Sequence, residues 1–141
     1  FGAERFRLVT CFQTLEHLHD PLRFCADALS LLKPGGAFLA VCHDRLALSA
    51  RLLGRRSPIY DVEHLQLFSP AALVRLLEKA GFSGVRVRPI FNRYPLHYWL
   101  KLSPLPAPLK AAFSGRFKRS ALGRLPVSVP AGNMAVSGCK P

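Results

Sequence analysis

Acidic residues are missing from the C-terminal part of this chain: after Glu78 there is no Asp or Glu to the end at Pro141. Residues 79–141 hold 11 Lys and Arg with no acid, whereas residues 1–78 hold 9 Lys and Arg against 8 Asp and Glu. Almost all of the net charge of +12 therefore sits in the C-terminal part. Such one-sided charge suits an anionic partner: a lipid headgroup, a nucleic acid, a phosphorylated substrate or an acidic missing half. Long apolar runs are also lacking. No stretch approaches the ~18 uncharged residues needed to cross a bilayer, so a transmembrane helix is not expected. The N-terminus lacks the basic-then-apolar order of a signal peptide, and the default expectation is a cytoplasmic location. Close cysteine pairs are absent as well. Cys11, Cys25, Cys42 and Cys139 form no C-x-x-C, which argues against a zinc site and for reduced, mostly buried thiols. No internal repeat is visible. An initiator methionine is lacking too: Phe1 stands first, only about five residues ahead of a buried-type strand. The expectation is the second half of a domain.

What is present is enough for a core. The chain is 141 residues long and 50% hydrophobic, which excludes disorder throughout. A complete domain of this size buries roughly 70% of the surface its unfolded chain exposes. Phe6-Arg7-Leu8-Val9-Thr10-Cys11 reads as a strand covered on both faces. Asp20-Pro21 then opens a helix, Asp20 as the cap and Pro21 in the first turn, where its missing N–H costs nothing. Leu22, Cys25, Leu29 and Leu32 follow on one face. Lys33-Pro34-Gly35-Gly36 is expected to stop that helix in a tight turn, and residues 37–42 form the next strand. Two buried-type strands joined by a helix imply a right-handed parallel βαβ unit of an α/β fold.

A short helix is expected at about 46–53, ended by Gly54, then a polar loop over 55–66. Ser69 and Pro70 open a clearer helix with Leu73, Val74, Leu76, Leu77 and Ala80 as its apolar stripe and Gly81 as its stop. Residues 85–88 alternate as a strand, and 134–138 form a closing strand. Between them, 94–130 mixes Tyr94, Tyr98, Trp99, Phe113 and Phe117 with Lys, Arg and six prolines. These prolines argue against one long amphipathic helix, so short helices are expected.

Taken in order, Leu8-Val9-Thr10-Cys11, Leu15-Glu16-His17, Asp20-Pro21, Leu32-Lys33-Pro34-Gly35-Gly36, His64, Phe68-Ser69 and Ala80-Gly81-Phe82 resemble class I S-adenosylmethionine-dependent methyltransferases of the small-molecule group. Gly132-Asn133-Met134 adds a weaker match at the start of the last strand. The resemblance implies the C-terminal half of a Rossmann-like, doubly wound α/β sheet, strands 4, 5, 6 and 7 of the order 3-2-1-4-5-7-6. A helical, basic and aromatic insertion precedes the last strand. The implied division is 1–93 for the partial domain, 94–130 for the insertion or lid, and 131–141 for the closing antiparallel strand. The family's glycine-rich loop after strand 1 and its acidic residue after strand 2 have no counterpart here, since the only glycine pair, Gly35-Gly36, precedes a strand. Arg7 stands where the family commonly has Asp.

Ligands in open α/β sheets bind beyond the carboxyl ends of the strands, which singles out Phe12, Gln13, Glu16, His17, His43 and Asp44. By resemblance Cys11, Phe12, Gln13 and Glu16 line S-adenosylmethionine, while His17, His43, Asp44 and His64 border the methyl acceptor. If the acceptor is a hydroxyl, a histidine serves as general base, His17 first and His64 second. Each of these residues also has a plain structural reading, as a loop anchor, a cap or a packed side chain. A metal site at His17-x-His19 is not expected, because Asp20 is already explained as a cap.

The expected function is methyl transfer to a small molecule, lipid precursor or sugar by a longer parent protein, the 141-residue chain alone being inactive. The alternative is a non-catalytic basic module binding an anionic membrane or nucleic acid through 94–130. Peripheral contact of that segment with an anionic membrane is the expected second partner, ahead of nucleic acid, for which no recognisable motif is present. An uncovered first strand would offer an edge for dimerisation.

Overall fold

A computed structural model of the chain describes all residues except Phe1, Pro58, Asp61, Pro104 and Ser114. Phe1 and part of the loop expected over 55–66 thus lie outside the described residues. The chain divides into two compact units, residues 1–90 with 132–141, and residues 91–131.

The first unit starts with β1 (Phe6–Phe12), a single 3-10 turn (Leu15–His17), α1 (Pro21–Leu31) and β2 (Leu32–His43). Helix α1 begins where sequence chemistry puts it, because Asp20 Oδ1 accepts from the Arg23 N–H at 2.9 Å and Pro21 fills the first turn. Strands β1 and β2 are parallel. The expected turn at residues 33–36 is instead a bulged start to β2. Phe6 pairs with Leu32 and Leu8 with Ala37, so β2 spends extra residues at this point. Gly35, at φ +73°, and Gly36 are drawn into backbone hydrogen bonds with Lys140. A Cβ on Gly36 would stand 2.8 Å from the Lys33 carbonyl, which explains the glycine.

After β2 come α2 (Leu48–Leu53), a 3-10 turn (Gly54–Arg56), α3 (Pro70–Lys79) and β3 (Ser83–Pro95). Ser69 Oγ caps α3 through the Ala72 N–H at 3.3 Å, and Gly81 follows it at φ +101°. The last strand, β4 (Pro126–Cys139), pairs antiparallel with β2, and the sheet order is β1-β2-β4-β3. This is the order 4-5-7-6 that the resemblance implied.

The core lies on one face of this sheet. Phe38, Ala40 and Cys42 of β2 stand opposite Gly138, Val136 and Met134 of β4, and all six are buried. Cys25 and Ala28 of α1 and Leu73 and Leu77 of α3 close over them. Each fully buried Leu or Phe side chain contributes ~1.5–3 kcal/mol. Gly138 leaves room for Phe82, whose ring stacks on Phe38 at 5.2 Å. Strands β1 and β3 are the two edges of the sheet. Leu8 and Phe12 of β1 are 56% and 59% exposed, where a strand covered on both faces was expected.

In the second unit the described residues form α4 (Leu96–Leu102), α5 (Ala107–Ala112), α6 (Arg116–Arg119) and α7 (Ala121–Arg124). Trp99 Nε1 donates to the Val127 carbonyl at 2.8 Å, and the ring of Tyr94 meets those of Tyr98 and Trp99 at 4.8 and 5.5 Å. Among the described residues no helix is long and apolar enough to cross a membrane.

Candidate functional site

The carboxyl ends of the parallel pair β1 and β2 bring the singled-out residues together. Beyond Phe12 the chain turns at Gln13, which takes the left-handed value φ 49° and donates its N–H to the Val41 carbonyl at 2.8 Å. A glutamine held there indicates that the surroundings over-determine its position. The 3-10 turn that follows drives Leu15 and Glu16 into the interior, and Glu16 is only 1% exposed. One Glu16 oxygen, Oε1, accepts from the His43 N–H at 3.2 Å and so ties the end of β1 to the end of β2. The Glu16 backbone carbonyl accepts from Gln66 at 3.0 Å, which fixes the loop that carries His64.

Three histidines meet here. The His64 ring lies 4.9 Å from His17 and 5.2 Å from His43, centroid to centroid. Each ring is tethered through Nδ1: His17 to the Glu63 carbonyl at 2.8 Å, His64 to the Ile59 carbonyl at 2.8 Å, and His43 to Asn133 Oδ1 at 2.9 Å. A carbonyl oxygen can only accept, so in the neutral ring Nδ1 carries the proton at His17 and His64. That leaves Nε2 of each as a free lone pair, the state required of a general base.

Two acceptor oxygens in the same region, Gln13 Oε1 and Glu16 Oε2, are buried without a hydrogen-bond partner. Buried polar atoms are nearly always paired, so two such oxygens on neighbouring turns mark a place suited to a donor or a cation. Burial, and secondarily the Glu16 charge, pushes the Cys11 thiol up to about 11. Burial, then Cys11, carries Cys25 to about 12, and Cys42 is raised further by burial and Glu16. These thiols are inert, and Cys11 contributes backbone and bulk rather than a nucleophile.

Gln13, Glu16, His17, His43 and His64 thus share one region. Two other residues are placed differently. Phe12 points largely to solvent, and Asp44 Oδ1 is engaged by the Leu46 N–H at 2.9 Å, capping the turn into α2. Asn133 was not singled out as a site residue from sequence. Its Oδ1 accepts from both His43 and Gln13 Nε2, the latter at 3.4 Å, across a β2–β4 register that only folding creates. Among the described residues no group of three or more His, Cys, Asp or Glu is arranged to hold a metal ion.

A profile of the methyltransferase domain family matches residues 1–87. The chain is similar to a probable S-adenosylmethionine-dependent methyltransferase of Mycolicibacterium smegmatis, 37% identical over 53% of this chain and 28% of that protein. It is also similar to a ubiquinone biosynthesis O-methyltransferase of Aeromonas salmonicida, 29% identical over 66% of this chain and 44% of the other. The chain spans less than half the length of these relatives. In fold it is similar to an S-adenosylmethionine-dependent methyltransferase of Archaeoglobus fulgidus, with a TM-score of 0.61 at 16% identity, covering 99% of this chain and 61% of that one. A Haemonchus contortus phosphoethanolamine N-methyltransferase solved with S-adenosylhomocysteine gives a TM-score of 0.54 at 14% identity, over 100% of this chain and 35% of that one.

Proposed function

We propose, for a chain that belongs to the methyltransferase domain family, that the ends of β1 and β2 form one wall of a methyl-transfer site whose acceptor is a hydroxyl of a small molecule, lipid precursor or sugar. S-adenosylmethionine is the methyl donor of the family, and it supplies a methyl group on a sulfonium. The donor carries positive charge on its sulfonium and its ammonium, and the two unpaired oxygens, Gln13 Oε1 and Glu16 Oε2, fit such a group. The residues that would hold it are Cys11, Phe12, Gln13 and Glu16, the first two through their backbone.

The observation that carries the reading is the histidine trio with its tethered Nδ1 atoms. Displacement at a methyl group needs the acceptor held on axis and dry more than it needs catalytic groups. A hydroxyl still has to lose its proton. His17 Nε2 takes it in the first-choice reading and His64 Nε2 in the second, while His43 and Asp44 border the acceptor. The similarity to ubiquinone biosynthesis O-methyltransferases supports an oxygen acceptor. The matches favour this reading over a non-catalytic basic module.

The reaction belongs, in this proposal, to a longer protein of the relatives' length, and the 141 residues alone bind the donor poorly and do not turn over. Calorimetry on this chain tests that point: micromolar binding of S-adenosylmethionine would sink it. In the longer protein, transfer of a radiolabelled methyl group to a panel of phenols is expected to fall ~10²–10⁴-fold in His17→Ala. Equal rates in wild type, His17→Ala and His64→Ala would remove the general-base role.

A second reading concerns residues 91–131, with seven Lys and Arg and no acid. Leu102 and Leu122 there are 56% and 57% exposed beside Lys101 and Arg124. Exposed leucines among cations suit the surface of an anionic bilayer. Binding to vesicles rich in anionic lipid that weakens steeply with salt, and disappears on deleting 94–130, would support it. Equal binding to neutral vesicles would count against it.

A further inference from the structure

We infer that Asn133 is a positioning residue that sets the tautomer of His43 and the direction of Gln13, joining the acceptor side of the site to the donor side. The inference rests on the methyl-transfer reading for its purpose, and on geometry alone for its content. Asn133 sits on β4 directly opposite His43 in the antiparallel ladder. Its Oδ1 stands 2.9 Å from His43 Nδ1 and 3.4 Å from Gln13 Nε2. Gln13 can approach only as a donor through its amide nitrogen, so that oxygen is already being used as an acceptor. His43 must then donate from Nδ1, which leaves its Nε2 unprotonated and available as an acceptor to a hydroxyl.

The same oxygen acts on the other wall. With Gln13 Nε2 drawn toward Asn133, Gln13 Oε1 is turned away from it and remains the unpaired atom that suits a cationic donor. Without Asn133 the Gln13 amide has no reason to prefer this orientation, since its left-handed backbone is held by a different bond, from its N–H to Val41. One side chain thereby couples two residues that are 30 positions apart in sequence, one in the turn after β1 and one at the end of β2. Neither His17 nor His64 depends on it, because backbone carbonyls hold their rings.

The test is a tautomer measurement by long-range ¹H–¹⁵N correlation on the whole chain labelled at histidine, with Asn133→Ala and Asn133→Asp. In wild type His43 is expected to show a protonated Nδ1 and an unprotonated Nε2. Asn133→Ala is expected to move the His43 Nδ1 resonance toward the unprotonated range and Nε2 toward the protonated one, while His17 and His64 stay where they were. Asn133→Asp keeps an acceptor oxygen in place and is expected to restore the wild-type pattern at His43. A His43 pattern unchanged in Asn133→Ala would overturn the inference. So would equal movement of all three histidines, which would mean a general loosening of structure. If Asn133→Ala fails to fold, Asn133→Ser decides, since its shorter hydroxyl cannot reach His43 as the amide does, and an unchanged His43 pattern there overturns the inference as well. None of these readouts uses methyl transfer, so a failure of the functional reading would leave the tautomer result standing and a failure here would leave that reading to its own assay.

Discussion

Replacing Glu16 with Gln should make the chain more stable and its site worse. Glu16 is 1% exposed, and only one of its two oxygens has a partner, the His43 N–H at 3.2 Å. The other oxygen is buried with none. An unsatisfied buried polar group costs about 1–3 kcal/mol, and more when it is charged. Glutamine keeps an oxygen for His43 and trades a buried charge for a neutral amide, which costs less to bury, so Glu16→Gln is expected to gain about 1 kcal/mol, worth a few degrees in melting temperature for a domain of this size. Urea unfolding followed by circular dichroism is the assay, with the midpoint rising and the slope unchanged. The same change removes the charge that helps hold the Cys11 and Cys42 thiols up, so both should ionise at somewhat lower pH while burial keeps them above the ordinary value of 9.0. In the longer protein the variant should bind S-adenosylmethionine more weakly, a loss of function against a gain in stability. A midpoint lowered at constant slope would refute the reasoning, because it would mean that the carboxylate is well paired in the folded chain.

Three further outcomes follow from the packing. Leu77, fully buried in α3 against the sheet, should cost roughly 2–5 kcal/mol when cut to Ala, read as a lowered urea midpoint; a loss below ~1 kcal/mol would show that α3 does not close the core. Gly138→Val should destabilise, read as a lowered urea midpoint, because the new Cβ would lie 3.0 Å from the Cβ and 3.4 Å from the Cγ of Phe82, atoms that no apolar replacement of Phe82 larger than Ala removes. Thiol labelling at pH 8 should modify exposed Cys139 quickly and leave Cys11, Cys25 and Cys42 until denaturant is added. Those three thiols are raised in the folded chain, so their contribution to stability is intact below about pH 9, where the unfolded thiols are also neutral. It is lost as pH rises from 9 through about 11 for Cys11 and through about 12 for Cys25, so an alkaline melt should begin above pH 9.

Much of the fold was legible because its signals are local. Asp20 and Ser69 cap helices through bonds to residues three positions on, and Pro21 and Pro70 sit in first turns for reasons confined to one residue. The apolar stripe of α3 and the alternation over 85–88 in β3 needed nothing beyond helical and strand periodicity. The parallel βαβ step followed from two buried-type strands and a helix between them. The helix does stop ahead of Lys33-Pro34-Gly35-Gly36, but the tight turn expected there is a bulge in β2. Its glycines are shaped by Lys140, more than 100 positions away, and no local rule sees that pairing.

The candidate site divides in the same way. Residues at strand ends could be nominated from sequence because ligands in such sheets bind there, which is how Gln13, Glu16, His17 and His43 were found. That Asp44 Oδ1 also caps the turn into α2 through the Leu46 N–H is a matter of its rotamer, which the strand-end argument does not reach.

The sequence by itself determined the element types, their caps, the core-facing stripes and the family, since these depend on neighbours within about four residues or on ordered motifs. Only the tertiary structure decided that Glu16 is buried with one oxygen unpaired and that the His64 ring meets those of both His17 and His43. It alone placed Asn133 opposite His43. A strand's side chains alternate every residue, so cross-strand partners 90 positions apart are set by register, and register is fixed when the two faces of the sheet find their core.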